Sequence, residues 1–395
     1  MAASLPHSKF SPKHILMTTD TLGGVWTYSV ELCRALSAKG VRVTLAAMGA
    51  AMGTGMGGGA GAERARALRD LPNVELYEKP FRLEWMDDPW NDVDAAGTWL
   101  LSLARNLNPD VIHLNGYAHA ALDWGVPRVV VAHSCVYSWW SAVKNEQAPE
   151  RYAEYRRRVC AGLRSADVVI SPSAAMRAVL ERWYSNGRAT DGSRKEGLVI
   201  PNARSGAAFP RGEKLDLIFS SGRLWDEGKN IRALVKVAKK LAWPIYIAGD
   251  TAGPNSRIET GAGVAWLGQL TEAQIAPWYS RAAIYAHPAK YEPFGLAVLE
   301  AALAGCALVL SDIPSLRENW DGAALFADPG SPKALQHAIQ CLIEDSGLRK
   351  TLQYRAAARA RRFSPGMMGR RYLEAYALAA QNFQKNYGPP LRRAS

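Results

Sequence analysis

The stretch AAIYAHPAKYEPFGLAVLEAALAGCALVLSD, residues 282–312, holds a whole strand–helix–strand unit. AAIYAHP is a short apolar run closed by a proline, and CALVLSD repeats the pattern beyond a glycine. Between them, Pro293 and Gly295 mark the entry to a helix, LAVLEAALAG, that stops at Gly305. A strand, a covering helix and a further strand in succession build a parallel sheet. Two carboxylates, Glu292 and Glu300, stand in this apolar setting, and burying an ionised carboxylate is costly unless something pairs with it. Glu292 falls in the loop before the helix and Glu300 one to two turns inside it, at most about 12 Å away by helical rise. That separation is too large for an acid and base acting on one bond. It suits two carboxylates that bind hydroxyls at opposite ends of an elongated ligand. The amides around Phe294, Gly295 and Leu296 would face phosphates between them.

Working outward, the same alternation recurs along the chain. KHILMTTD, VRVTLAAM, DVIHLN, RVVVAHS and ADVVISPS read as strands in the first half. After residue 210 come LDLIFSSG, WPIYIAGD and GVAWLG, and then the two strands quoted above. Helical stretches separate them, as in GGVWTYSVELCRALSAKG with Gly40 as its stop. The reading is α/β: two doubly wound parallel-sheet domains, with ligand sites at the carboxyl ends of the strands facing one central cleft. The junction is VIPNARSGAAFPRGEK, rich in Pro, Gly and Ser, which sets domains of 1–204 and 205–366. Gly23 and Gly24 close the first strand and open the first helix. They serve either close approach to an anionic ligand or an ordinary strand-to-helix turn.

Composition narrows the class. A chain of 395 residues exceeds one small core, and 48% hydrophobic with 21% charged residues is ordinary for a soluble globular protein. No apolar run of about 18 residues appears, and the first twenty residues lack the core of a signal peptide. Five scattered cysteines without a CxxC pair argue for reduced thiols, a cytoplasmic location and no zinc. The net charge of +12 calls for an anionic partner. A nucleic acid is set aside because no recognition motif accompanies the charge.

Two glycine patterns mislead. GTGMGG, Gly53 to Gly58, matches a dinucleotide fingerprint formally, and would make the chain an NAD-dependent oxidoreductase. Seven of the thirteen residues from Gly49 to Gly61 are glycine, however, which describes a low-complexity loop. GRLWDEGKN, Gly222 to Asn230, has five residues between its glycines, and Asn230 stands where a P-loop needs Ser or Thr.

With these motifs in order, the sequence resembles the family 4 retaining glycosyltransferases. YEPFGLAVLEAALAGCALVLSDIPSLRE is similar to their donor-site signature. TLGGVWTYSVELCRAL, VIPNA, SGRLWDEGKNI, IAGD and WLGQLT extend the likeness over most of the chain. Ala203 and Ala289 depart from the usual glycine and serine of two motifs. The resemblance implies the GT-B fold, with two Rossmann-like domains. The N-terminal domain would bind the acceptor and the C-terminal domain the nucleotide sugar. A last helix, about 367–388, would pack back on the N-terminal domain.

The resemblance also implies roles. Arg223 and Lys229 would hold the diphosphate and stabilise charge on the leaving group without a metal. The acidic triplet Asp92-Val93-Asp94 reads as solvated, so neither a metal site nor a cofactor is expected. Glu300 would accept hydrogen bonds from ribose hydroxyls and Glu292 from the transferred sugar. His133 matches a family histidine at the donor sugar. Arg204, just after the junction motif, either reaches phosphate or lies at the surface, and the surface role is the preferred reading. The family retains anomeric configuration, which implies an α-glycoside made from a nucleoside-diphosphate sugar, UDP favoured and GDP the second choice. A GT-B epimerase is the alternative within the fold.

The acceptor, a saccharide, a lipid-linked molecule or a small molecule, would meet the loops around LNGYAHAALDW and HSCVYSWWSAVKNEQ. The 13 tryptophans, Trp139 and Trp140 among them, offer flat faces to sugars or lipid, or else fill the core. Two arginine-rich helices, 151–164 and 349–363, either touch an anionic membrane peripherally or are solvated faces.

Overall fold

The computed structural model describes residues 10–21, 23–49, 66–184, 197–252 and 262–388. The glycine pattern Gly53–Gly58 lies outside them. The chain divides into two compact units. One comprises the chain up to Ser138, Ala148–Pro201 and everything from Pro365 onward; the other comprises Trp139–Gln147 and Asn202–Ser364.

Among the described residues, the first unit holds seven strands: β1 (His14–Asp20), β2 (Arg42–Met48), β3 (Val74–Lys79), β4 (Val111–Leu114), β5 (Arg128–Val131), β6 (Val168–Ser171) and β7 (Leu198–Val199). They lie in the order β3-β2-β1-β4-β5-β6-β7, every neighbouring pair parallel. Its helices are α1 (Gly24–Ser37), α2 (Trp90–Leu107), α3 (Val136–Lys144, which runs into the second unit), α4 (Ala153–Ser165) and α5 (Ala174–Tyr184).

The second unit repeats the plan with β8 (Leu215–Ser221), β9 (Ile245–Ala248), β10 (Ala265–Gly268), β11 (Ala282–His287), β12 (Ala307–Ser311) and β13 (Leu325–Ala327). Their order is β10-β9-β8-β11-β12-β13, again all parallel. Among the described residues, six helices cover it or follow it: α6 (Ile231–Ala238), α7 (Glu272–Arg281), α8 (Leu296–Leu303), α9 (Pro314–Trp320), α10 (Pro332–Glu344) and α11 (Ser346–Ala360). The final helix, α12 (Pro365–Tyr387), belongs to the first unit and packs on α1.

Alternation of side chains explains the double winding. On β12, Leu308 and Leu310 join one buried cluster while Ala307 and Val309 join the other. Tyr285 of β11 likewise faces the first, and Ile284 and Ala286 the second. A strand buried on both faces needs apolar residues at every position, and β11 and β12 are buried throughout. Each fully buried aliphatic side chain contributes about 1.5–3 kcal/mol.

The strand order reverses direction between β1 and β4 in one sheet and between β8 and β11 in the other. Such switch points leave a crevice beyond the carboxyl ends of the strands. The loops after β1, β4, β5, β8 and β11 lie at these carboxyl ends.

Among the described residues, no helix is long and apolar enough to cross a membrane. Many of the clustered arginines have internal partners. On α4, Arg157 and Arg158 both bind Glu154 at 2.7 Å, and Arg158 also pairs with Asp94. On α11, Arg359 donates to the carbonyls of Asn319 (3.0 Å) and Asp321 (3.1 Å).

Candidate active site

β8 ends at Ser221, and the chain turns through Gly222 and Arg223 into a tight turn that closes on Lys229. The turn is held by Asp226, whose carboxylate accepts the Gly228 amide at 2.9 Å, the Trp139 indole N–H at 2.9 Å and Arg223 Nη2 at 3.3 Å. Asn230 follows in a left-handed conformation, φ 54°. Its Nδ2 donates to the carbonyls of Pro288 (2.9 Å) and Pro329 (3.0 Å), and the Lys290 amide donates to Gly228 O (2.8 Å). The loops after β8 and β11 are thus bolted together. Gly249, just after β9, lets the chain run close to the Gly222 turn: it stands at φ 143°, and a Cβ there would lie 1.9 Å from the Gly222 carbonyl oxygen.

The result is direct contact between Lys229 and Glu292. Lys229 Nζ lies 2.6 Å from Glu292 Oε2, and His287 Nε2, at the end of β11, lies 3.1 Å from the same oxygen. Burial would raise the Glu292 pKa, but Lys229 and His287 more than offset it and hold the carboxyl well below its usual range. Burial lowers the His287 pKa, so a neutral imidazole donates its Nε2–H to an ionised carboxylate.

Glu300 sits on α8, whose N-cap is Gly295 at φ 93°. Leu296 opens that helix, whereas the Phe294 side chain turns inward, 3% exposed and edge-on to Phe363. Arg204 Nε lies 2.8 Å from Glu300 Oε1, and the Tyr279 hydroxyl donates to Oε2 at 3.1 Å. Tyr279 is bonded in turn to Ser221 Oγ (2.7 Å), which ties Glu300 to the end of β8. Burial pushes the Glu300 pKa up, against the pull of Arg204 and Tyr279.

The reading of Arg204 as a surface residue is therefore wrong. It is 3% exposed and engages both Glu272 and Glu300. A cation in a Pro- and Gly-rich junction looks solvated in sequence; two carboxylates brought from distant helices allow it to be buried.

In the first unit, Gly23 precedes α1 with φ 91° and Gly24 begins it. His133 follows β5, with its Nε2 2.9 Å from Asn115 Oδ1 and its ring edge-on to Tyr28 at 4.5 Å. Asn115, at the end of β4, also binds the Thr18 carbonyl (2.7 Å) through Nδ2. Beside it, His113 Nδ1 meets the Tyr376 hydroxyl of α12 at 2.8 Å. Burial lowers the His133 pKa to about 3, with His113 adding to the effect, and lowers that of His113 to about 4. Both rings are neutral. Arg223, Lys229, Glu292 and Glu300 thus share the second unit, whereas His133, Gly23 and Gly24 belong to the first.

His287, Asn115 and Tyr279 are absent from the sequence reading. A polar residue at the end of a strand beside a switch point was the available signal for the first two; nothing local marks Tyr279. Asp92 accepts the Arg82 amide at 2.9 Å, and Asp94 is paired with Arg158. No group of three or more His, Cys, Asp or Glu able to hold a metal ion occurs among the described residues.

Two family models match the chain: the one described as Glycosyltransferase Family 4 over residues 22–190, and the one described as Glycosyl transferases group 1 over residues 216–345. The chain belongs to glycosyltransferase family 4. Among curated relatives, this family 4 chain is 29% identical over 149 residues to the O-antigen chain mannosyltransferase B of Escherichia coli, covering 34% of the chain. It spans about two fifths of that relative's length. It is 28% identical to the D-inositol 3-phosphate glycosyltransferase of Nocardioides sp., over 91% of the chain and 86% of the relative. The fold is GT-B. Sucrose-phosphate synthase from Thermosynechococcus elongatus superposes with a TM-score of 0.71 at 19% identity, over 95% of this chain and 98% of that one. Anabaena HepE in complex with UDP-glucose gives 0.69 at 17%, over 92% and 98%.

Proposed function

We propose that this family 4 glycosyltransferase moves a hexose from a nucleoside-diphosphate sugar to a hydroxyl acceptor, with retention, giving an α-glycoside without a metal. The observation that carries the reading is the Lys229–Glu292 pair, at the ends of the two strands that flank the switch point, with Arg223 in the same loop as Lys229. The diphosphate draws Lys229 away from Glu292 and meets Arg223, whose side chain is 39% exposed. Both cations then strengthen their hold as negative charge gathers on the departing diphosphate. Glu292, kept ionised, accepts hydrogen bonds from the hydroxyls of the sugar and steadies positive charge at its anomeric carbon. Glu300 accepts from the ribose. The C1–diphosphate bond breaks, a bond to the acceptor oxygen forms on the same face, and the hydroxyl proton of the acceptor goes to the departing diphosphate oxygen.

UDP is the favoured nucleotide, supported by the similar fold crystallised with UDP-glucose; GDP is the second choice. The relatives named for O-antigen and inositol-phosphate chemistry support a saccharide, lipid-linked or small polar acceptor. The first unit is the proposed acceptor site, and His133 is its candidate sugar-binding residue. The test is a donor screen that scores release of UDP, GDP or ADP with and without candidate acceptors. Release of none of the three from any donor sugar refutes the reading.

A further inference from the structure

Glu300 raises a question of supply. A carboxylate offers about four acceptor positions, two on each oxygen. Arg204 faces Oε1 as an ion pair, its Nε at 2.8 Å, and the Tyr279 hydroxyl takes one position on Oε2. One position remains on each oxygen, which is what a vicinal diol with two O–H donors requires. We propose that Arg204 is a positioning residue of the donor site, fixing the Glu300 carboxylate so that one acceptor position on each oxygen faces the ribose diol. The proposal rests on the donor-site reading above.

The guanidinium is itself firmly held. Its Nη2 engages Glu272 of α7, its Cζ lies 4.9 Å over the Phe209 ring, and its backbone amide donates to Phe363 O at 3.3 Å. A planar fork can bridge two carboxylates in this way, whereas an ammonium acts as a point charge. The titratable groups facing Glu300 are Arg204 from the junction, Glu272 and Tyr279 from α7, and Tyr285 from β11. Of these Arg204 is the cation, and Glu272 adds repulsion. Without Arg204, a buried Glu300 takes up a proton at higher pH. A protonated carboxyl turns one of its acceptor positions into a donor and cannot serve both hydroxyls.

The test is calorimetry between pH 6 and 8 with whichever of UDP and GDP binds the unsubstituted chain, alongside the 2′-deoxy form of that nucleotide. Arg204→Gln should weaken the ribonucleotide about tenfold to a hundredfold, as for loss of a charged hydrogen bond, and more as pH falls. The 2′-deoxy form, with one hydroxyl fewer, should lose much less. Arg204→Lys keeps the charge and should keep the flat pH profile, while still losing part of the ribose preference. The double variant Arg204→Gln/Glu300→Gln should bind no worse than Glu300→Gln alone, because the first residue acts through the second. Equal losses for both nucleotides, or losses that simply add in the double variant, overturn the proposal. Should Arg204→Gln fail to fold, Arg204→Lys decides by the same nucleotide comparison. If neither nucleotide binds, or if Glu300→Gln binds like the unsubstituted chain, the donor-site reading itself falls and takes this inference with it.

Discussion

Replacing Lys229 by alanine removes the cation 2.6 Å from Glu292, in a pair whose side chains are only 15% and 12% exposed. At an effective dielectric of about 20, unit charges at that distance attract by roughly 6 kcal/mol, much of it cancelled by the desolvation of both groups. The loss that counts is the stranded Glu292 charge. Breaking a buried pair costs about 3–5 kcal/mol, and the low end applies because His287 still donates to the same oxygen. A loss of about 3 kcal/mol lowers Tm by roughly 6–12 °C in a domain of this size. Adding Glu292→Gln removes the stranded charge and should recover most of that Tm. Turnover should behave differently: Lys229→Ala loses about a hundredfold in kcat through the missing stabilisation of the diphosphate, and the second substitution should not restore it. Thermal unfolding and steady-state kinetics on the three variants separate the two effects. A Lys229→Ala protein with unchanged Tm and kcat, or a double variant with recovered kcat, refutes the reasoning.

Acid should destabilise the first unit, because His113 and His133 stay neutral in the fold while the unfolded chain takes up protons below about pH 6.5. Each contributes about 1.4 kcal/mol per pH unit well below that value and half as much at it, so urea unfolding should show about 3 kcal/mol less stability from this pair at pH 5 than at pH 6.5; a flat profile counts against the buried network, and His113→Gln should remove about half of that loss. Gly249→Ala forces a Cβ to within 1.9 Å of the Gly222 carbonyl at a φ of 143°, which should cost about 3 kcal/mol or more and weaken nucleotide binding by shifting the Arg223 loop. Unchanged UDP affinity in that variant would show that the loop is not set by this contact. Peripheral contact of α4 and α11 with anionic lipid predicts co-sedimentation with anionic vesicles at low salt that moderate salt abolishes; no pelleting at low salt sinks that idea.

The parallel sheets were legible because β11 and β12 are apolar at all but their last position and β2 at five of seven, which is what burial on both faces demands. β3 escaped notice because VELYEK is a mostly exposed edge strand whose charges mask its period. β7 and β13 were too short, at two and three residues, to carry any pattern. Within the candidate site, Glu292 and Glu300 stood out as carboxylates in apolar surroundings. The partners of Glu300 did not, since Tyr279 and Arg204 reach it from 21 and 96 positions away and neither neighbourhood looks unusual. Composition reveals a buried charge more readily than it reveals the group that neutralises it.

The chain passes between its two units four times, at 138/139, 147/148, 201/202 and 364/365. Neither unit can be cut out as a single segment, and this bears on recombination between family members. A cassette of residues 202–364 can be exchanged at two cuts, leaving α12 with the half that supplies Tyr28 and His113. The nine residues Trp139–Gln147 stay behind in such an exchange although they group with the cassette. Trp139 would then have to find an equivalent of Asp226, and Lys144 an equivalent of Glu227, in a foreign partner. Compatibility of chimeras should therefore hinge on this short graft rather than on overall similarity of the exchanged sheets.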